Sequence, residues 1–239
     1  MEGDIRNNRL VPPSIRSAAI LLRTSDRVVA TAASVWHSFH QHSAGGSEVD
    51  ENDLLAACLL LAAKVEEEPR RIRDVINAVL FVMCREKLHD AHRYWGKKER
   101  ILRLEQDLLR ALAFDTFVEQ PLLFLLNYLY ALRAPHSLCE LSVALVNDGV
   151  LSAGCARCPA RVIASAAIAL AASMLVHPLP AQWWVAFDVD WSALETAAHA
   201  ILDVFEHGTG SLGPESACAT AVITSGQRKT SSNLLHPAP

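Results

Sequence analysis

Residues 54–63 read LLAACLLLAA, with no polar position on any helical face, and are followed at once by Lys64, Val65 and the acids Glu66, Glu67 and Glu68. A surface helix repeats apolar residues at spacings of three and four and keeps a polar face, whereas a helix apolar all round belongs in an interior. The pattern predicts an enclosed third helix, capped by Asp50 and carrying acids in its first turn. Turn and cap signals divide the chain into about ten such helical pieces. Pro12-Pro13 precedes a short helix over residues 14–24, Ser25 caps a second that reaches about Gln41, and the run HSAGGSEVDEND from His42 is a loop. Pro69 opens a fourth helix at a first-turn position, where its missing N–H costs nothing, with Glu66, Glu67 and Glu68 just ahead of the positive end. In a fifth, over residues 94–112, Ile101, Leu104, Leu108 and Leu112 form one stripe toward a core. Later helices start near Pro121, His136, Ala160, Pro180 and Ser192, the last with Glu195 three residues on as a capping box.

An internal repeat emerges when LLAACLLLAAKV is laid over IASAAIALAASM, Leu54 against Ile163. It predicts two similar all-helical modules, each built on a buried alanine-rich helix. The competing explanation is that two buried Ala/Leu helices look alike by composition alone. At the position of Lys64 the second copy has Ser173, so packing does not require the lysine.

Composition narrows the classes. The chain has 239 residues, a formal charge of -4 and a pI near 6.2, so no positive surplus exists to bind phosphate backbones, and direct binding of nucleic acid is not expected. The polar opening MEGDIRNNR lacks the apolar centre of a secretory signal, and the chain is expected to stay inside the cell. The apolar run over residues 162–176 is shorter than the about 20 residues a span requires, so no membrane association is expected. Six cysteines in that setting read as reduced thiols. From Gly208 the composition turns to Gly, Ser, Thr, Ala and Pro, as in a disordered tail.

Two charges stand where packing would not put them. Glu105 lies four residues after Ile101 and three before Leu108, within the apolar stripe of the fifth helix, and Lys64 ends the driest helix. A buried carboxylate without a donor is strongly unfavourable. Either the two form an internal ion pair, or both are offered, framed by apolar residues, to the backbone groups of another molecule. Other constellations carry less. Cys155 and Cys158 form a CxxC with no second pair nearby, which does not make a zinc site. His37 and His40 share a helix with Trp36 and Phe39, and with His42 they read as packing or surface residues. Arg70, Arg71 and Arg73 read as a solvated face, and Trp183-Trp184 as core filling. No nucleophile–base set or phosphate-cradling loop stands out, so no catalysis, cofactor or metal is expected.

The segment AAKVEEEPRRIRDVINAV, residues 62–79, resembles the first cyclin box of the cyclins of transcription and RNA processing, most closely cyclin L. SAAILLRTSDRVVATAASVWHSF resembles the first two helices of that box, ILRLEQDLLRALAFD its fifth, and residues 144–180 the middle of the second box. The resemblance spans about residues 10–207. It implies an all-α fold of two tandem five-helix cyclin boxes, residues 13–116 and 117–207, after an extension over residues 1–12 and before the tail over residues 208–239.

The resemblance further implies that Lys64 and Glu105 contact the αC helix of a cyclin-dependent kinase, that Leu61 and Val65 line the apolar part of that groove, and that Phe114 lies near its edge. The implied role is that of a non-catalytic regulatory subunit in a heterodimer with the kinase, resident in the nucleus. Residues 208–239 hold one arginine, unlike the long Arg/Ser-rich tail often seen in cyclin L, which leaves the kinase link better supported than the splicing link. A tandem cyclin-fold transcription factor and a kinase-independent helical scaffold remain as alternatives.

Overall fold

In the computed structural model, residues 11–42, 49–86 and 90–208 are described. Every regular element among them is helical, and the chain divides into two compact units, Met1–Val118 and Glu119–Pro239.

The first unit contains α1 (Ser14–Leu22), α2 (Asp26–His42), α3 (Glu51–Val65), α4 (Ile72–Cys84) and α5 (Ala91–Ala111). Helix α3 is its axis, packed on α2, α4 and α5 and more lightly on α1, with residues 53–63 buried without a break. Ala56, Ala57, Ala62 and Ala63 let neighbouring backbones approach, while the five leucines fill the gaps. Each buried leucine contributes about 1.5–3 kcal/mol of apolar burial. The Asp50 carboxylate accepts from the Asn52 N–H at 2.9 Å and caps the start. At the other end Glu67 turns left-handed, φ 57°, and the Glu68 N–H returns to the Ala63 carbonyl at 2.8 Å.

The second unit contains α6 (Pro121–Ala131), α7 (His136–Gly149), α8 (Ala160–Met174) and α9 (Trp191–Gly208), with 3-10 turns at Cys155–Arg157 and Trp183–Phe187. Here α8 is the axis, packed on α6, α7 and α9. It has 15 residues like α3, and it ends the same way: Val176 is left-handed, φ 53°, and the His177 N–H reaches the Ala172 carbonyl at 2.8 Å. In the register that sets Leu54 on Ile163, Glu67 falls on Val176. Shared Ala/Leu composition would not by itself put a left-handed residue at the same place, so the repeat is one of structure.

The units differ where a helix was expected from Pro180. That segment forms only the 3-10 turn Trp183–Phe187, bracketed by left-handed Gln182 and Asp188. Tyr128 stacks on Phe187 at 3.9 Å and Trp184 packs on Trp191 at 4.8 Å, so the aromatics do fill core space. With no long helix in that place, α6 lies directly on α8, whereas in the first unit α1 leans mainly on α4. Gly149 and Gly154 admit α9: a Cβ on Gly154 would stand 2.7 Å from the Ala200 Cβ, and one on Gly149 would stand 2.9 Å from Ile201 Cγ1.

Three expected helix starts move. Helix α4 begins at Ile72, so Pro69 lies in the loop and not in its first turn. Helix α5 begins at Ala91, because the Asp90 carboxylate caps it by accepting from the His92 N–H at 3.0 Å. Helix α9 begins at Trp191, with Leu194 donating to the Asp190 carbonyl, which places Ser192 inside the helix and not at a capping box. The tail beyond Gly208 lies outside the described residues.

Candidate partner-binding site

Lys64 is in the last turn of α3, where its charge suits the negative end of the helix. Glu105 is on the inner face of α5, between buried Ile101 and Leu108, because α5 turns that stripe toward α3. Lys64 Nζ donates to Glu105 Oε1 at 2.5 Å. The side chains are unequally exposed, 50% for Lys64 and 9% for Glu105. Of the two readings open at the sequence level, the internal pair is formed. Yet an ammonium has three donors, and a half-exposed Lys64 keeps others open while its counter-ion stays dry.

The acids that follow Lys64 do not sit at the start of α4 as expected. Thr31 Oγ1 of α2 donates to Glu66 Oε1 at 2.6 Å, and Arg27 Nη2 reaches Glu66 Oε2 at 2.8 Å. Glu68 Oε2 accepts from the Ser25 N–H at 3.1 Å, and hydrogen bonding by Ser25, aided by Arg70 and Arg27, holds its carboxyl below the usual range. Arg70, expected on a solvated face, instead donates from Nε to the Leu22 carbonyl at 2.8 Å and from Nη2 to the Arg23 carbonyl at 2.7 Å. Those carbonyls close α1, so the guanidinium caps a helix C-terminus from the side. The run KVEEEPRR is therefore a bolt: Glu66 and Glu68 fasten the end of α3 to α2, and Arg70 fastens it to α1. Together they fix where Lys64 projects.

A second charged cluster, missed in the sequence, ties the other end of α3 to α5. Asp53, with a side chain 3% exposed, accepts from Lys97 Nζ at 2.6 Å and from Arg100 Nε at 2.8 Å. Lys97 lies one turn before Ile101 on the stripe that carries Glu105, and that period was the available signal. The α3–α5 contact is thus pinned by an acid-to-base bond at the start of α3 and a base-to-acid bond at its end.

The apolar residues divide. Leu61 is 3% exposed and belongs to the core of the first unit. Val65 is half-buried beside Lys64. Phe114 is 70% exposed just past α5. Phe117, which no sequence signal singled out, is 83% exposed on the same segment.

Among the described residues, no three His, Cys, Asp or Glu side chains are grouped to hold a metal. His37 is buried, and the His40 Nδ1–H donates to the Trp36 carbonyl at 2.8 Å; the His42 side chain lies outside the described residues. Burial pushes the Cys155 thiol up to about 12, raises Cys158, and raises the fully enclosed Cys58 further still. Among the described residues no helix is long and apolar enough to cross a membrane.

Residues 18–117 match the family described as cyclin, N-terminal domain. Cyclin-L1-1 of Arabidopsis thaliana is 30% identical over 200 residues, covering 80% of this chain and 48% of that protein. Cyclin-K of Homo sapiens is 31% identical over 172 residues, covering 64% of this chain and 28% of that protein. The chain spans about half the length, or less, of these curated relatives. Among solved structures, the crystal structure of the yeast RNA Pol II CTD kinase CTDK-1 complex contains a chain of the same fold. The TM-score is 0.71 at 18% identity, covering 82% of this chain and 64% of that one.

Proposed function

This chain belongs to the cyclin family, of the transcription type and most like cyclin L, and from that premise we propose that it binds and activates a cyclin-dependent protein serine/threonine kinase acting in transcription by RNA polymerase II or in pre-mRNA processing. The observation that carries this reading is the Lys64–Glu105 pair: a buried carboxylate bonded to a half-exposed ammonium, within the residues that match the cyclin N-terminal domain. The relatives named cyclin L and cyclin K, and a fold neighbour from an RNA polymerase II CTD kinase complex, support this choice of kinase class. Nuclear residence is proposed on the same ground.

In the proposed mechanism, Lys64 donates to unpaired carbonyls at an end of the kinase αC helix, with Val65 and Phe114 against its apolar face. A kinase alone rests mainly with that helix rotated outward, where its glutamate cannot reach the lysine that holds the ATP phosphates. Selective binding of the inward state shifts the population. Moving a 1:99 ratio to 99:1 requires a preference of roughly 10⁴-fold. Residues 13–116 are read as the first cyclin box and residues 117–207 as the second; the shared axis-and-cap layout of α3 and α8 supports this.

The test is reconstitution of the purified kinase subunit with and without this chain, scored on a peptide of the RNA polymerase II C-terminal repeat. Activation of up to about 100-fold is expected, the gain when the active population rises from about 1% to about 99%. No gain in activity would remove the activator reading. A kinase-independent scaffold is the second reading, favoured by the closed 2.5 Å pair, since Lys64 and Glu105 would then be structural ions only.

A further inference from the structure

Past α5 the backbone takes two consecutive left-handed steps, at Ala113 with φ 49° and Phe114 with φ 62°. Neither residue is glycine, and each such step costs about 1–3 kcal/mol, so the surrounding hydrogen bonds must hold the turn. They do: the Ala113 N–H donates to the Arg110 carbonyl at 3.0 Å, the Phe114 N–H to the Leu109 carbonyl at 2.9 Å and the Asp115 N–H to the Leu112 carbonyl at 2.9 Å. In this kind of helix ending the residue at the Phe114 position ordinarily folds back onto the last helical turn as an apolar plug. Phe114 stays 70% exposed. Next, the Asp115 carboxylate accepts from the Phe117 N–H at 3.2 Å and orders the following bend, on which Phe117 is 83% exposed.

Phe114 is thus held in water by an ordered and strained turn, and Phe117 by the Asp115 bond just beyond it, although each loses favourable burial by staying there. Ordering before contact lowers the entropy lost on association, and rigid aromatics with little freedom to surrender are frequent binding anchors. The turn belongs to the unit that carries Lys64, and about 10 Å of helical rise separates Glu105 from Leu112 at the end of α5. That is a length one face of a two- to three-turn partner helix can span, with its carbonyl end at Lys64 and apolar side chains at the turn.

We propose that Phe117 is a second aromatic anchor, three residues on from Phe114, for the kinase catalytic subunit. The inference rests on the kinase-binding reading and names a residue that the family resemblance does not supply. The kinase recovered with the wild-type chain from its own cells is identified by mass spectrometry, re-expressed, purified and titrated by calorimetry against wild type, Phe117→Ala and Phe117→Tyr. Phe117→Ala is expected to weaken binding about 10- to 100-fold and Phe117→Tyr less than about threefold, with circular dichroism unchanged because the side chain is exposed. Wild-type affinity in Phe117→Ala overturns the inference and leaves the kinase reading intact. Equal losses in both variants also overturn it, since an aromatic anchor tolerates a hydroxyl at an exposed rim. Recovery of no kinase with the wild type overturns both.

Discussion

Lys64 and Glu105 stand 2.5 Å apart across the α3–α5 contact, and only the acid is dry. The ammonium is half-exposed, so one face of it remains available. Glu66, Glu68 and Arg70 hold the loop beyond it against α1 and α2, so the lysine extends from a braced helix end and not from a floppy one.

The braced end depends on charge and therefore on pH. Glu68 titrates below the ordinary carboxyl value of about 4.3 when folded, so the unfolded chain binds more protons there as the solution is acidified. Its contribution is complete above that value and is lost as pH falls through the lower folded pKa. Urea midpoints of wild type and Glu68→Gln are expected to differ at pH 7 and to draw together as the pH falls below the ordinary carboxyl value and through the lower folded pKa. A gap that widens in acid would contradict the assignment.

Arg70→Ala removes two bonds to the carbonyls that close α1. A loss of about 1–3 kcal/mol in unfolding free energy is expected, larger than for a solvated arginine. Chemical denaturation of Arg70→Ala beside Arg71→Ala checks this, since Arg71 is an exposed neighbour.

Asp53→Ala leaves Lys97 enclosed with only the more distant Asp50 carboxylate, 3.6 Å away, as counter-ion. That substitution is expected to cost about 2–3 kcal/mol, below the full cost of an unpaired buried charge, while the double change Asp53→Leu with Lys97→Met, which removes both charges, is expected to be near neutral. Denaturant midpoints of the two variants provide the comparison; similar losses in both would mean the ions matter through shape alone.

Thiol labelling reads the core directly. Cys84 is exposed, whereas burial holds Cys58 and Cys155 as neutral thiols at any ordinary pH. With a maleimide at pH 7.5, Cys84 is expected to label while Cys58 and Cys155 remain unmodified until denaturant is added, as followed by peptide mass spectrometry.

Much of this architecture was legible from periodicity. The apolar run of α3 and its echo in α8 announced two modules, and the stripe of α5 placed Glu105 inward before any coordinates did. What the sequence concealed were long-range bonds. Glu66, Glu68 and Arg70 look like a solvated charge run because their partners, Thr31, Ser25 and the Leu22 carbonyl, lie in helices α1 and α2 or the turn between them. Asp53 looked like a first-turn acid, since favourable placement near a helix start masked its burial against Lys97. The segment from Pro180 read as a helix from its start signal alone; left-handed Gln182 and Asp188 shortened it to one 3-10 turn. Leu61 was assigned to a groove by resemblance, but the enclosure of α3 on all sides puts it in the core.

The central claim concerns a polar pair completed by a second polypeptide, and calorimetric titration of the purified kinase subunit with the Lys64→Ala, Glu105→Ala double variant tests it most directly. Removing both charges leaves no lone buried carboxylate, so the variant is expected to keep its helical circular dichroism while its kinase affinity falls at least about 100-fold. A folded double variant that binds the kinase as tightly as wild type would contradict the account.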